Sequence, residues 1–210
     1  MFTQPSLTPR TAAILRQVAS GKHRGTYPFP YIYSDSPNHS GFATPRRVRC
    51  VVWHISEGSY ESSLSWLTSS YSRASSNDLI GQAGQMAILV PRASAPWTNG
   101  YICRPTLDYT IVRQAQERGV NPNSWSHTIE CAGTSGRGKA GSLTELQTAG
   151  LIVRTAQVCV AEGLSADPEH ILRHAYFDSC TRGNCPGYSR VEMFDWIGAV
   201  RDLTRAWRGW

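Results

Sequence analysis

The sequence predicts a single α/β domain in which a mixed central β-sheet is flanked by helices. Its 210 residues are 40% hydrophobic and 17% charged, so the chain can bury one substantial core. Short apolar runs bounded by turn residues alternate with longer segments of helical spacing, and this alternation is typical of α/β domains. No internal repeat or low-complexity tract interrupts the pattern.

The first 45 residues are expected to form an N-terminal extension that packs on the domain of residues 46–210. A short helix is predicted near the start of this extension. Thr8 can cap it, Pro9 fits its first turn, and Gly21 lies beyond its end. Residues 27–45 hold four of the twelve prolines, which indicates an irregular surface segment.

The next four elements alternate between strand and helix. Residues 49–55 are almost continuously apolar and β-branched, as in a buried strand. A short helix is predicted at residues 62–71, and a second strand at residues 86–90, where a proline follows. Residues 106–119 have apolar side chains at helical spacing and a final glycine, which predicts a helix that ends there.

The second half of the chain continues the alternation. Ser142 and Glu145 have the spacing of a capping box and precede an apolar stripe, so a scaffold helix is predicted over residues 142–163. The other three elements are two strands and a last helix, predicted at residues 126–131, 170–176 and 191–207.

The charge balance favours a polyanionic partner. The chain has 21 basic and 15 acidic residues, a net charge of +6 and a pI near 9.2, which suits nucleic acid, anionic lipid or an acidic wall polymer. The chain has no block of like charges, so its charge pattern does not indicate a nucleic-acid partner. No apolar run reaches the roughly 18 residues of a membrane span, and residues 1–25 lack a signal-peptide core. We therefore expect cytoplasmic synthesis and neither a nucleic-acid nor a membrane partner.

Two histidines each end a strand-like segment, and a cysteine lies in a turn after the second of them. His54 closes the run Val51-Val52-Trp53, and His174 precedes Cys185, which lies in a Cys-Pro-Gly turn. Two imidazoles and a thiolate can hold Zn²⁺ and leave a fourth position open, as catalytic zinc sites do. Because the donors are far apart in sequence, the pattern is only moderately specific. Three side chains compete with them: His127, His170 and Cys180.

Six segments between Arg47 and Trp196 carry a resemblance to a known family. In chain order they are Val51-Val52-Trp53-His54, Ser75-Ser76-Asn77-Asp78-Leu79-Ile80, residues 84–91, Trp97-Thr98-Asn99-Gly100, His127-Thr128-Ile129-Glu130, and Arg173-His174 through Cys185-Pro186-Gly187. These segments resemble the zinc-dependent N-acetylmuramoyl-L-alanine amidases of the phage endolysin type, which share their fold with peptidoglycan recognition proteins.

The resemblance implies that His54, His174 and Cys185 bind Zn²⁺ and that Glu130 is the catalytic acidic residue. Glu130 lies between Ile129 and Cys131, and apolar surroundings raise the pKa of a carboxyl group toward the working range of a general base. The alternative for Glu130 is an ordinary salt-bridged residue at a strand end.

The chain departs from the family at several positions. The family often has histidines where Asn77 and Thr98 stand, and a lysine where Gly183 stands. Arg182, one residue further back, is therefore the candidate that stabilises the oxyanion.

The resemblance also suggests substrate-binding residues in the groove. Trp97 is the preferred one, with Asn77 and Asn99 beside it, because exposed indoles stack on sugar faces. Trp125 is a second candidate, whereas Trp66 and the remaining tryptophans are predicted to pack in the core. The pairing of the cysteines other than Cys185 is left open.

The implied activity is hydrolysis of the amide between N-acetylmuramic acid and L-alanine in peptidoglycan. We expect a monomeric, bacteriolytic phage endolysin that reaches the wall at host lysis. A cytosolic amidase that recycles muropeptides and a non-catalytic peptidoglycan recognition module are the alternatives. Recognition modules usually lack the third ligand, so Cys185 favours an enzyme. A nucleic-acid-binding protein with a structural zinc is suggested by the pI alone.

Overall fold

A computed structural model describes residues 2–41, 46–135 and 143–209. The five helices of these residues are α1 (Pro9–Ala19), α2 (Tyr60–Thr68), α3 (Thr110–Arg118), α4 (Glu145–Glu162) and α5 (Arg190–Arg208). The strands are β1 (Tyr31–Tyr33), β2 (His39–Ser40), β3 (Cys50–Ile55), β4 (Asp78–Ile80), β5 (Met86–Ile88), β6 (Ala95–Pro96), β7 (Ser126–Cys131) and β8 (Ile171–Arg173).

Six strands form a central sheet in the order β1-β5-β4-β7-β3-β8. The four strands β4, β7, β3 and β8 are parallel neighbours. β5 runs antiparallel to β4 and carries β1 as a parallel edge strand, while β2 and β6 form a separate antiparallel pair. The predicted fold class, a mixed central sheet flanked by helices, is confirmed.

Side chains alternate between the two faces of this sheet. On one face, Val51, Trp53 and Ile129 pack against α1, α4 and α5 in the largest core cluster. On the other face, Val52 lies in a cluster with α3, and Leu79 lies in a cluster beside α2. None of the described helices combines the length and apolar character that a bilayer-spanning segment requires.

Several predictions of secondary structure differ from the structure. α2 ends at Thr68 instead of residue 71, and α3 begins at Thr110 instead of residue 106. Residues 31–33, expected to be irregular, form β1, whose three exposed side chains offer no alternating burial pattern. Residues 174–176 form a 3₁₀ turn instead of extending β8. Ser142 lies outside the described residues, and α4 begins at Glu145 because the Thr144 hydroxyl caps it by accepting a hydrogen bond from the backbone N–H of Gln147.

The N-terminal helix packs directly against the main core. Leu15 and Val18 of α1 are fully buried in the cluster that includes α4 and α5. The indole N–H of Trp207 in α5 donates to the carbonyl of Val18 at 2.9 Å. The domain boundary between residues 45 and 46 stays a prediction.

A buried ionic network joins the sheet to α4. The carboxylate of Asp78, on β4, accepts from Arg154 Nε and Nη2 at 2.8 and 2.9 Å and from His127 Nε2 at 2.6 Å. Burial alone would raise the pKa of Asp78, but the charges and hydrogen bonds of Arg154 and His127 outweigh it and lower the pKa to about 2. Asp78 therefore stays ionised inside the protein.

We expect Arg154→Met to lower the free energy of unfolding by about 3 kcal/mol, because it leaves a buried carboxylate without its main partner. Arg10→Met is the matched control, since the Arg10–Glu145 pair is 3.9 Å apart and exposed and such pairs contribute less than about 1 kcal/mol. Urea unfolding at neutral pH measures both. Equal, small losses in the two variants would contradict a structural role for the network.

Candidate functional site

A cleft of about 950 Å³ opens where the parallel strands β7, β3 and β8 end. His54 lies near the end of β3 and is paired with Glu130 on β7, while His174 directly follows β8. Parallel strands end at the same edge of a sheet, where α/β folds commonly bind ligands. Alternation along β3 turns His54 toward the cleft and the neighbouring Trp53 toward α4.

His54, His174 and Cys185 form one compact group on the floor of this cleft. Their potential ligand atoms all lie within 4.8 Å of one another, and the two imidazole centroids are 4.4 Å apart. All three side chains are buried. The structure thus brings together the three residues that the sequence suggested as metal ligands.

The competing donors are engaged elsewhere. His127 is bonded to Asp78 in the buried network. His170 Nδ1 lies 2.7 Å from a carboxylate oxygen of Asp167. Cys180 forms a disulfide with Cys103, a pairing that the sequence left open. None of the three takes part in the group at the cleft floor.

Burial keeps the two imidazoles neutral. It lowers the pKa of His54 well below its ordinary value, with a further contribution from His174, and it lowers the pKa of His174 to about 4. Burial also raises the pKa of the Cys185 thiol. Neutral imidazole is the form that binds metal ions, whereas the thiol must release its proton on binding one.

Asn99 contacts both histidines. Its side-chain Oδ1 lies 3.0 Å from His54 Nε2, and its backbone carbonyl oxygen lies 3.1 Å from His174 Nε2. Asn99 is fully buried and does not line the cleft. The expectation that it contacts substrate is therefore corrected, because the amide faces a histidine and not the solvent.

The donor set fits Zn²⁺. Two neutral imidazoles and a cysteine are the ligands of some catalytic zinc sites, and the Nδ1 atoms are left for a metal because both Nε2 atoms contact Asn99. Glu130 Oε1 lies 3.7 Å from His54 Nδ1, and Glu130 Oε2 is buried with no hydrogen-bond partner among the residues that the structure describes. An unpaired carboxylate oxygen beside this group suits a site that processes a water molecule.

Glu130 has the protonation behaviour of an acid–base residue. Burial raises its pKa to about 8, against the opposing charge of Arg182. A carboxyl group with this pKa exchanges a proton readily near neutral pH.

Two walls flank the cleft floor. One is α2, which contributes Ser62, Ser63 and Trp66, and the other is the segment of residues 179–184, which contains Arg182. The Cys103–Cys180 disulfide ties this second wall to the chain before α3. Arg182, the predicted oxyanion residue, is exposed and lines the cleft.

The aromatic residues differ in part from expectation. Trp97 lines the cleft as predicted and is 40% exposed, with its indole N–H donating to Ser40 Oγ at 3.0 Å. Trp66, predicted to be a core residue, also lines the cleft and is 58% exposed. α2 buries only Ser63 and Leu67, and Trp66, three residues after Ser63, lies at the edge of this buried face, where its indole remains accessible from the cleft.

Two other predicted groove residues are buried. Trp125 packs against Phe177 in the cluster with α3. Asn77 is fully buried, with its amide donating to the carbonyl of Val90 and accepting from the N–H of Thr128. Both expectations of substrate contact are therefore corrected, since neither side chain reaches the cleft.

The comparisons with known proteins agree with this geometry. The family profile described as N-acetylmuramoyl-L-alanine amidase matches residues 44–188. Among solved structures, the selenomethionine derivative of AmpD is 16% identical with a TM-score of 0.58, covering 80% of this chain and 93% of AmpD. No curated protein matches the sequence significantly.

Two further structures share the fold. PlyL is 14% identical with a TM-score of 0.57, covering 82% of this chain and 96% of PlyL. Staphylococcus aureus hydrolase AmiA, solved with its ligand, is 13% identical with a TM-score of 0.56, covering 94% of this chain and 92% of AmiA. The family match spans most of the chain, from before β3 to beyond Cys185. The chain therefore belongs to the N-acetylmuramoyl-L-alanine amidase family and is an amidase of peptidoglycan.

Proposed function

We propose that the protein is a zinc-dependent enzyme that hydrolyses the amide between N-acetylmuramic acid and L-alanine. The observation that carries the proposal is the buried group of His54, His174 and Cys185 beside Glu130 on the cleft floor. When bound by these three residues, Zn²⁺ would polarise the scissile carbonyl and lower the pKa of water.

Glu130 is proposed to move the proton in the reaction. Its unpartnered Oε2 accepts a proton from the attacking water as the bond to the carbonyl carbon forms. The same carboxyl group then delivers this proton to the nitrogen of L-alanine as the amide bond breaks. A pKa of about 8 allows the group to serve in both directions near neutral pH.

Arg182 is proposed to stabilise the oxyanion that forms on the carbonyl oxygen. The guanidinium lies in the cleft wall, and its charge lowers the pKa of Glu130 and of His174, so it acts on the cleft floor. A positive charge placed where negative charge develops favours the tetrahedral intermediate.

Trp97 and Trp66 are proposed to contact the glycan. Both indoles are exposed along the cleft, and the ring of Trp97 is held by its bond to Ser40. Flat aromatic surfaces with a polar edge suit the apolar faces of sugar rings. The N-acetylmuramic acid side of the substrate would thus lie on the indoles, with the scissile amide at His54 and His174.

The enzyme is further proposed to act as a bacteriolytic endolysin on the wall polymer, after synthesis in the cytoplasm and release at host lysis. The net charge of +6 favours an anionic polymer. The Cys103–Cys180 disulfide also supports this role, because disulfides persist in oxidising compartments and are rare in the cytosol. A monomer without nucleic-acid or membrane partners stays a prediction.

Purified peptidoglycan treated with the enzyme is expected to release new amino termini of L-alanine. This release should stop when a chelator removes the metal and return when Zn²⁺ is added, because the bound metal would polarise the scissile carbonyl of the substrate. Cys185→Ser should lose activity, since a thiolate ligand is replaced by a hydroxyl. New reducing ends in place of amino termini would mean cleavage of the glycan and would contradict the proposal.

Glu130→Gln is expected to lower kcat at least about 100-fold, because glutamine keeps the size of the side chain but cannot exchange the proton. The zinc content, measured by atomic absorption, should not change. Glu61→Gln, which alters an exposed carboxylate on α2, is the control and should retain wild-type activity. Full activity in the Glu130 variant with zinc bound would exclude the assigned role.

Trp66→Ala is expected to raise KM for polymeric peptidoglycan about fivefold with little change in kcat, since an aromatic contact contributes about 1 kcal/mol. Tyr71→Ala is the control, because Tyr71 is 92% exposed and does not line the cleft.

The endolysin role is tested by comparing the kinetics of the wild type on soluble muropeptides with its kinetics on the polymer. A wild-type preference for the soluble fragments over the polymer would favour a recycling enzyme and contradict the endolysin proposal.

A further inference from the structure

Asn99 lies behind the two histidines of the cleft floor. Its side chain contacts His54 Nε2 and its backbone carbonyl contacts His174 Nε2, so a single residue touches both imidazoles on the side away from the cleft. Asn99 is fully buried, and the backbone N–H of Asn99 donates to Asn123 Oδ1 at 2.7 Å. The main chain at this point is therefore fixed as well as the side chain.

The neighbouring hydrogen bonds determine which way the Asn99 amide points. Ser126 Oγ donates its hydrogen to the carbonyl of Pro122 at 2.7 Å. Having used its only hydrogen, this oxygen can only accept from Asn99, which places Asn99 Nδ2 beside it at 2.7 Å. The amide oxygen then faces His54, and no flipped assignment satisfies all of these contacts.

This orientation fixes the tautomer of both histidines. The amide Oδ1 and the backbone carbonyl of Asn99 only accept hydrogen bonds, so His54 and His174 must each carry a hydrogen on Nε2. In a neutral imidazole the lone pair then resides on Nδ1. Both Nδ1 lone pairs are therefore available to a metal ion that His54 and His174 would hold together with Cys185.

We propose that Asn99 is a positioning residue that presents Nδ1 of both histidines to the metal, with its side chain acting on His54 and its main chain acting on His174. The inference rests on the proposed zinc site. According to this inference, the orientation of His54 depends on the side chain of Asn99, whereas that of His174 does not. Replacing that side chain removes the acceptor for His54 but leaves the carbonyl that serves His174.

The test compares Asn99→Leu with Asn99→Asp in the full chain. Leucine has a similar size and no acceptor, so we expect the Kd for Zn²⁺, titrated against a competing chelator, to rise 10- to 100-fold. Aspartate keeps an oxygen facing His54 and should bind Zn²⁺ within tenfold of the wild type. Circular dichroism confirms that each variant is folded, and Asn99→Ala, which only truncates the side chain, replaces the leucine variant if that one does not fold.

A second measurement separates positioning from a general loss of structure. Long-range ¹H–¹⁵N spectra of the metal-free protein report which imidazole nitrogen carries hydrogen. The wild type should show Nε2–H on both histidines, and Asn99→Leu should change His54 while His174 stays unaltered. An unchanged His54 tautomer with an unchanged Kd would overturn the inference. Failure of the wild type to bind Zn²⁺ would instead overturn the proposed function, while the spectra would still test Asn99.

Discussion

The parallel pairing of β3 with β7 on one side and β8 on the other is the constraint on which the cleft depends. It aligns the carboxyl ends of three strands, so that His54, Glu130 and His174 meet although more than a hundred residues separate the first from the last. Because side chains alternate along a strand, a slip of one residue in β3 would turn His54 toward α4. The register of these strands thus fixes the chemistry as well as the fold.

The two faces of the sheet divide stability from function. On the face that packs against α4, β7 contributes His127 to the buried network around Asp78, and this network has no contact with the cleft. On the other face, the same strand contributes Glu130, whose carboxylate is left with an unpaired oxygen. The bonds of Asp78 to His127 and Arg154 hold β4, β7 and α4 together, whereas Glu130 Oε2, beside the cleft, has no hydrogen-bond partner among the described residues.

The sequence was sufficient for those features that local patterns encode. Continuous apolar runs identified β3 and β5, and helical spacing identified α4 and α5. Two histidines at the ends of strand-like segments, together with a cysteine in a Cys-Pro-Gly turn, indicated the donor group. Features that depend on tertiary contacts could not be obtained in this way. Three such features depend on segments that are distant in sequence: the disulfide partner of Cys180, the edge strand β1 and the burial of Asn77. The motif around Trp97 also suggested that Asn99 contacts substrate, which the burial of Asn99 excludes.

The bond between Cys103 and Cys180 joins residues 77 positions apart, and the covalent loop that it closes includes α3, β7, α4 and β8. A cross-link of this span removes about 4 kcal/mol of chain entropy from the unfolded ensemble. Glu130 and His174 lie inside the loop and Cys185 lies five residues beyond it, so most of the cleft floor stays tethered even in an unfolded chain. For a protein proposed to work outside the cytoplasm, the cross-link limits how far a transiently opened chain can expand.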